Sequence, residues 1–308
     1  MAIYEISFQS YNERDTVKGW IYTPVLPPKA IVQVVHGFGE HSRRYLHLIL
    51  QMLDAGFVVA ADDHVGHGAT AAANNTWGDY GYKGYATTTE DEKTLHDLVT
   101  KQYPDLPFFM FGHSWGSMIA RDFTVKHGDL LHGVIYCGTT ALRENTVALS
   151  NKLKKLVDTG HGSETESSYL GELLKDFNSR YKEVKTANDW IAVDRNVVAD
   201  HARDPLNNFR KTPNIQALYD FSQLWVDIGS REWAEKVPDI PVYLISGDQD
   251  PVGNYGEGVY QIANWLSQTG KRVTTKIYSG YRHEIHNEPP IRNEVETGII
   301  QFIEGILE

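Results

Sequence analysis

One serine lies between two glycines in a setting that suits covalent catalysis. The segment GHSWG, residues 112–116, follows the apolar run PFFMF and precedes a helix-like stretch that begins near Trp115. A serine at this spacing, on a turn from strand to helix, sits on strained backbone that exposes its hydroxyl as a nucleophile. The helix behind it directs its N-terminal dipole at negative charge that develops during the reaction. We therefore expect Ser114 to attack a carbonyl carbon.

A serine hydroxyl needs a general base, and the base needs a carboxylate to orient it. Two candidates for each partner follow later apolar runs. Asp248 and Asp250 come after the run IPVYLI, and His283 and His286 come after the run VTTKIY. The order serine, acid, histidine at successive strand ends is the order expected when this serine motif lies on a turn from strand to helix in a parallel sheet. The residues alone leave both pairs of candidates open.

The loop HGFGE, residues 36–40, follows the apolar run AIVQVV and has the composition of an oxyanion-binding loop. Gly37 and Gly39 let the backbone approach the serine, which leaves the amide of Phe38 as the expected donor to an oxyanion. The second expected donor is the amide of Trp115, the residue after the serine. Both donors are main-chain groups, so these two side chains influence the shape of the pocket more than its hydrogen bonds.

The loops that carry these residues need a scaffold that brings strand ends together. Short runs rich in Val, Ile and Phe alternate with helix-like segments, which predicts a mostly parallel central sheet flanked by helices. The first two strand-like segments, YEISFQS and VKGWIYTP, are expected to form an antiparallel hairpin. Residues 1–140 and 237–308 are predicted to form this catalytic domain.

The alternation of strands and helices breaks between residues 141 and 236. The chain there is polar and helix-like, which predicts a helical cap inserted after one strand. The aromatic residues of this stretch either build the cap's own core and its contact with the main domain or line a pocket beneath it. They are Tyr169, Phe177, Tyr181, Trp190, Phe209, Phe221, Trp225 and Trp233.

Composition narrows the classes of partner. The chain has 29 basic and 40 acidic residues and a net charge of −11, which disfavours a general attraction to nucleic acid or anionic membranes.

No apolar stretch approaches the length of a transmembrane helix, so no transmembrane segment is expected. The first residues show no secretory signal, so a cytoplasmic location is expected. The single cysteine, Cys137, is expected to be a small buried strand residue.

Five segments, HGFGEHSRRY, DHVGHG, GHSWG, GDQDPVG and GYRHEIHNE, together resemble one family. They are similar to the monoglyceride lipase and lysophospholipase branch of the α/β-hydrolases, among the serine aminopeptidase S33-type enzymes. The resemblance covers residues 36–288 and implies the α/β-hydrolase fold with a helical cap. It also implies Asp250 rather than Asp248 as the triad acid, and His283 rather than His286 as the base.

The same resemblance makes DHVGHG a structural turn. It assigns Asp63, His64 and His67 to a hydrogen-bonding scaffold rather than to a metal site. No metal and no cofactor are expected, because the proposed chemistry needs neither. Ser117 departs from the family, in which a second glycine commonly follows the nucleophile turn.

The leading hypothesis is hydrolysis of a carboxylic ester through an acyl-enzyme on Ser114. The resemblance implies monoacylglycerols or lysophospholipids as substrates, and a related small acyl ester is the nearest alternative. Transfer of the acyl group to an alcohol would use the same acyl-enzyme. The oligomeric state stays open.

Two other functions compete with ester hydrolysis. A peptidase similar to proline iminopeptidases would share the fold and the triad, and it would hold a substrate amino terminus with acidic cap residues. Candidates for that role are Glu164, Glu166, Glu172 and Asp176. A non-catalytic receptor for a small molecule would use the same pocket, and it predicts the loss of at least one triad residue.

Overall fold

The computed structural model describes residues 1–207 and 212–308. Eight strands within these residues form one sheet. They are β1 (Ala2–Gln9), β2 (Thr16–Thr23), β3 (Ala30–Val35), β4 (Phe57–Asp63), β5 (Phe108–His113), β6 (Gly133–Cys137), β7 (Val242–Gly247) and β8 (Val273–Tyr278). Their order across the sheet is β1-β2-β4-β3-β5-β6-β7-β8.

The sheet is mostly parallel. Only the pairs β1–β2 and β2–β4 are antiparallel, and all pairs from β3 onward are parallel. The predicted hairpin and the predicted parallel sheet are therefore confirmed. Parallel strands place their carboxyl ends at the same edge, which brings the loops after β3, β5, β7 and β8 together.

Helices pack on both faces of the sheet and also make up much of the segment between β6 and β7. They are α1 (Leu46–Asp54), α2 (Gly68–Asn74), α3 (Ala86–Gln102), α4 (Trp115–His127), α5 (Glu144–Asp158), α6 (Ser167–Leu173), α7 (Arg195–Arg203), α8 (Ile215–Asp227), α9 (Arg231–Lys236), α10 (Glu257–Gln268) and α11 (Arg292–Leu307). None of the helices among the described residues is long and apolar enough to span a membrane.

Successive residues of each central strand pack into different cores. Ile31 and Val35 of β3 join one apolar cluster, which includes residues of α4 and α10, whereas Val32 and Val34 join the other, which includes residues of α1 and α11. Because side chains alternate along a strand, the two clusters lie on opposite faces of the sheet. Strands β3 to β7 are consequently buried along their whole length, as expected for a parallel sheet covered on both sides.

Helices α5 to α9 all lie between β6 and β7 in the chain, and residues 141–236 are called the inserted segment below. Helix α8 packs against both α5 and α4. Leu149, Leu218 and Leu224 of the inserted segment belong to the same apolar cluster as Ile31 of the sheet. The segment is therefore joined to the sheet domain through continuous apolar contact.

Candidate active site

Ser114 lies at the tip of the turn from β5 to α4. Its backbone has φ 54° and ψ −121°, a left-handed conformation that side-chain-bearing residues rarely adopt, and its N–H donates to the carbonyl of Cys137 at 2.9 Å. A Cβ at Gly112 would collide with the carbonyl of Gly116, and a Cβ at Gly116 would collide with the carbonyls of Val35 and His36. The turn therefore requires both glycines.

Asp250 follows β7 and is completely buried. Its carboxylate accepts hydrogen bonds from His283 Nδ1 at 2.9 Å, from the N–H of Val252 at 2.8 Å and from Ser246 Oγ at 3.2 Å. Asp248 faces elsewhere and accepts from the Ser279 hydroxyl and the N–H of Gly280 in the turn after β8. The structure thus brings Asp250, and not Asp248, to the candidate base.

His283 is buried between Asp250 and the rings of Trp190 and His113, which lie 5.0 Å and 4.6 Å from its own. Because Nδ1 donates to Asp250, the tautomer leaves Nε2 as an acceptor, and Nε2 has no hydrogen-bond partner among the described residues. Burial opposes protonation of His283, but the charge and hydrogen bond of Asp250, with nearby Glu284, outweigh it and raise the pKa of His283.

His286, the alternative base, has a different environment. Its ring stacks on Tyr45 at 4.9 Å, and its Nδ1 lies 3.9 Å from the thiol of Cys137. Burial, reinforced by the neighbouring His113, lowers the pKa of His286 well below its usual range. Cys137 is, as expected, a buried strand residue, and burial raises the pKa of its thiol.

The loop after β3 lies directly against the serine. A Cβ at Gly37 would come within 3.2 Å of Ser114 Cβ, and the N–H of Gly37 donates to Glu40 Oε1 at 2.7 Å. The Nδ1 of His36 donates to the carbonyl of Gly37 at 2.8 Å, which orients the peptide whose N–H belongs to Phe38. Trp115 is the first residue of α4, so its N–H has no acceptor within the helix.

A buried polar network that the sequence patterns do not predict supports this loop. Glu40 Oε1 accepts from the hydroxyl of Tyr45 at 2.6 Å and faces His113 Nδ1 at 3.3 Å. Arg44 pairs with Glu40 at 3.1 Å and with Glu284, beside His283, at 2.6 Å. Burial opposes ionisation of Glu40, yet His113 and Arg44 lower its pKa well below the usual value. The segments HGFGEHSRRY and GYRHEIHNE contain Glu40, Arg44 and Glu284, but their patterns do not indicate that these side chains meet.

Asp63 has the scaffold role that the resemblance implies. Its carboxylate accepts from the N–H and hydroxyl of Ser42 at 2.9 Å and 2.7 Å and from the N–H of Ala69 at 2.7 Å. His67 packs its ring against Trp115 with centroids 4.9 Å apart. These contacts hold the loops after β3 and β4 beneath the serine.

Among the residues that the structure describes, two buried groups have donor atoms close enough to hold a cation. One consists of Asp62, His64 and Glu92, and the other of His113, Cys137 and His286. In the first, His64 Nδ1 lies 3.3 Å from Asp62 and 3.2 Å from Glu92. Burial lowers the pKa of His64, but the two carboxylates outweigh that effect and raise it to about 10, so the imidazolium supplies the positive charge of this cluster.

Ser114 and His283 line one cavity of about 250 Å³ between the strand-end loops and the inserted segment. One part of its wall is apolar and comes mainly from the inserted segment, through Leu170, Leu173, Leu174, Phe177, Ile191, Phe221 and Trp225. Another part is polar, with Glu40, His113, Asn188, His201 and Glu284. The cavity therefore offers apolar surface that suits an acyl chain and polar groups that suit an alcohol.

The aromatic residues of the inserted segment divide between the two predicted roles. Phe177, Trp190, Phe221 and Trp225 line the cavity. Tyr169 packs against the apolar core, Tyr181 donates its hydroxyl to the carbonyl of Gln249, and the Trp233 indole donates to the carbonyl of Arg121. Phe209 lies outside the described residues.

A family match and a solved structure both relate the chain to hydrolases. A model of the family described as "Serine aminopeptidase, S33" matches residues 26–290. A thermostable carboxyl esterase from Bacillus coagulans, solved in complex with glycerol, has 60% sequence identity and a TM-score of 0.98, with 100% of each chain covered.

Two curated relatives are more distant. The chain is 26% identical to a monoacylglycerol lipase from Mycolicibacterium smegmatis, over 92% of each sequence. It is 28% identical to the monoglyceride lipase of Homo sapiens, over 89% of this chain and 82% of the relative. These likenesses point to enzymes that act on esters.

Proposed function

Because the chain belongs to the serine aminopeptidase S33 family of α/β-hydrolases and is an esterase- or lipase-type hydrolase, we propose that it cleaves esters with Ser114 as nucleophile. His283 is the general base, and Asp250 orients it. The observation that carries this proposal is the environment of His283. Its Nδ1 is bound to Asp250 at 2.9 Å, Nε2 has no hydrogen-bond partner within residues 1–207 and 212–308, and His283 lines the same cavity as Ser114.

Acylation begins when Ser114 Oγ attacks the ester carbonyl carbon and His283 Nε2 takes the hydroxyl proton. The carbonyl oxygen becomes an oxyanion, which accepts hydrogen bonds from the N–H groups of Phe38 and Trp115. The tetrahedral intermediate collapses when the bond to the alcohol oxygen breaks and His283 gives its proton to that oxygen. The alcohol leaves, and the acyl group remains on Ser114 as an ester.

Deacylation repeats the sequence with water as the nucleophile. His283 Nε2 takes a proton from water, the resulting hydroxide attacks the acyl carbon, and the same two N–H groups bind the second oxyanion. When the bond to Ser114 Oγ breaks, His283 returns the proton to the serine. Asp250 stays ionised throughout and stabilises the imidazolium that forms twice in each cycle.

We propose a monoacylglycerol or a related small acyl ester, including lysophospholipids, as the substrate. The apolar wall suits an acyl chain, and the polar wall suits an alcohol with free hydroxyl groups. The cavity volume of about 250 Å³ lies below the range of about 300–1,000 Å³ common for ligand pockets, which favours a short or medium acyl chain. The related esterase and monoacylglycerol lipases support the same class of substrate.

The alternative peptidase has less support. Its expected acidic groups Glu164, Glu166, Glu172 and Asp176 are not among the residues that line the cavity. Glu164 and Glu166 are exposed, and Glu166 instead caps the N-terminus of α6. The receptor hypothesis predicts a lost triad member, whereas Ser114, Asp250 and His283 are all present in the sequence. Ser114 and His283 line the cavity, and Asp250 is hydrogen-bonded to His283.

The test is a panel of chromogenic esters of increasing acyl length, with monoacylglycerol and an aminoacyl anilide beside them. We expect ester turnover by the wild type and loss of about 10⁴-fold or more in Ser114→Ala, because the nucleophile is removed. Ser279→Ala, which removes a hydroxyl in the turn after β8, is the matched control and should keep most of the activity. A folded wild type that cleaves only the anilide, or no substrate at all, would overturn the proposal.

A further inference from the structure

Arg121 is a fully buried cation in the middle of α4, two turns after Ser114. No carboxylate in residues 1–207 or 212–308 forms an ion pair with it, although buried charges are normally paired because an unpaired one costs free energy. Burial lowers the pKa of Arg121 to about 10, so the guanidinium is still charged at neutral pH. A buried charge without a carboxylate partner is costly, so its presence in α4 indicates that Arg121 has a function.

The guanidinium binds two carbonyl groups instead of a carboxylate. Its Nη1 donates to the carbonyl of Thr140 at 3.2 Å, and its Nη2 donates to the carbonyl of Ile228. Thr140 directly precedes the inserted segment, and Ile228 directly follows α8, the helix that packs on α4. One side chain on α4 therefore ties together the start of the inserted segment and the end of its main packing helix.

Two tryptophans extend this connection. The face of Trp233 in α9 lies 4.2 Å from the guanidinium, and its Nε1 donates to the backbone carbonyl of Arg121 at 3.0 Å. Trp225 in α8 donates its Nε1 to the carbonyl of Ala141 at 3.0 Å, next to the carbonyl that Arg121 binds. The contacts thus reach α8, α9 and the entry of the inserted segment from a single point on α4.

The same elements form part of the cavity wall. Thr140, Phe221 and Trp225 line the cavity together with Ser114. Ser114 stands immediately before α4, and Arg121 lies within the same rigid helix. The contacts of Arg121 therefore connect the helix that begins after the nucleophile with this part of the wall.

We propose that Arg121 is a positioning residue that sets the apolar wall of the cavity relative to Ser114 and thereby the acyl length that the enzyme prefers. The inference rests on the proposed ester hydrolysis and adds its selectivity. Arginine is the residue that this role requires, because its planar fork presents several N–H donors in fixed directions to two separate carbonyls. A lysine ammonium is a compact point charge and does not reproduce that fixed span.

The test compares Arg121→Lys, Arg121→Met and the control Lys126→Met, which removes a positive charge from the same helix. Steady-state kinetics on chromogenic esters from acetate to laurate give kcat and KM for each acyl length. For the ester that the wild type prefers, we expect kcat/KM to fall about tenfold or more in both Arg121 variants, since small displacements of a substrate cost rate steeply. Acetate is too short to use the wall, and its kcat/KM should change less than about threefold.

Hydrogen–deuterium exchange gives a readout that does not depend on activity. Peptides covering the entry of the inserted segment and α8 should exchange faster in both Arg121 variants, while β5 and α11 should keep the wild-type rate. If Arg121→Met does not fold, Arg121→Lys decides, because it keeps the charge in place. Lys126→Met should match the wild type in both measurements.

Two results would overturn the inference. One is a folded Arg121→Lys enzyme that has the wild-type acyl preference and the wild-type rate of hydrogen exchange at both the entry of the inserted segment and α8. The other is an equal change in acyl profile in Lys126→Met, which would attribute the effect to charge alone. A wild type that cleaves no ester would refute the proposed function, and the exchange experiment would still test the contacts of Arg121.

Discussion

The two walls of the cavity are held in place by different forces. The wall that carries the proposed triad, called the catalytic wall below, consists of short strand-end turns in which Ser114, Asp250 and His283 are held by hydrogen bonds and close backbone contacts. The apolar wall is built from side chains of the inserted segment, such as Leu173 and Phe221, which pack in apolar contact, and directional hydrogen bonds from Arg121 connect that segment to α4 at two carbonyls. The difference indicates that changes in the first wall affect rate steeply, whereas changes in the second affect which acyl chain is preferred.

The largest predicted effect is the difference in kcat between variants of Asp250 and Asp248, which lie only two residues apart. Asp250→Asn should lower kcat about 10⁴-fold, because the amide no longer holds His283 in the productive tautomer. Asp248→Asn should stay within about tenfold of the wild type, because the hydrogen bonds of its carboxylate within the described residues go to the turn after β8. Steady-state kinetics on one ester check both variants, and equal losses would contradict the assignment of the acid.

The next effect concerns the backbone of the catalytic wall. Gly116→Ala should destabilise the fold by about 3 kcal/mol or more, because the added methyl collides with the carbonyls of Val35 and His36. Gly305→Ala in α11 is the matched control, since its Cβ meets no atom within 4 Å, and it should stabilise by about 0.5–1 kcal/mol. Denaturant unfolding measures both, and a Gly116→Ala protein as stable as the wild type would refute the close packing of the turn.

The pH dependence of activity sharpens the account of His283. Only neutral His283 can accept the proton of Ser114, so kcat/KM should rise with pH and level off above the pKa of His283. Asp250 raises that pKa above the ordinary value of 6.5, and Asp250→Asn should therefore shift the midpoint of the profile to lower pH. Asp248→Asn should leave the midpoint where it is. An unchanged midpoint in Asp250→Asn would argue against the coupling of the two groups.

The smallest predicted effect is a shift in acyl-chain preference when a residue of the apolar wall is changed. Leu173→Ala should enlarge the cavity and shift the preferred ester to a longer acyl chain, by about 1 kcal/mol of transition-state binding for each methylene accommodated. Val184→Ala in the same segment is the control, because Val184 is exposed and does not line the cavity. The ratio of kcat/KM values for long and short esters measures the shift. A uniform loss across all acyl lengths would mean that this wall also positions the catalytic groups.

The sequence predicts the residues of the catalytic wall far better than those of the apolar wall. The apolar runs before GHSWG, SGDQD and SGYRH indicate strands, and the glycines around Ser114 indicate a tight turn, because strand burial and turn strain leave local signatures. Asp248 and Asp250 could not be separated by local pattern. Their difference arises from which of them reaches His283 across the sheet edge.

The remaining features depend on contacts between distant parts of the chain. Arg121 lies in a helix with no pattern that indicates burial of a charge, and it is buried because Thr140, Ile228 and Trp233 surround it. The network of Glu40, Arg44 and Glu284 joins residues more than 200 positions apart. Such pairings follow from tertiary packing, which local propensities do not encode.

The most direct test of the central claim is the site of covalent labelling by a fluorophosphonate, in which the serine oxygen bonds to phosphorus and fluoride leaves. Peptide mass spectrometry of the labelled protein should locate a single adduct on Ser114. Labelling should disappear in Ser114→Ala and persist in Ser117→Ala, whose missing hydroxyl normally bonds Thr139 and the Ser114 carbonyl. An active enzyme that takes no label, or that carries the adduct on another residue, would contradict the account.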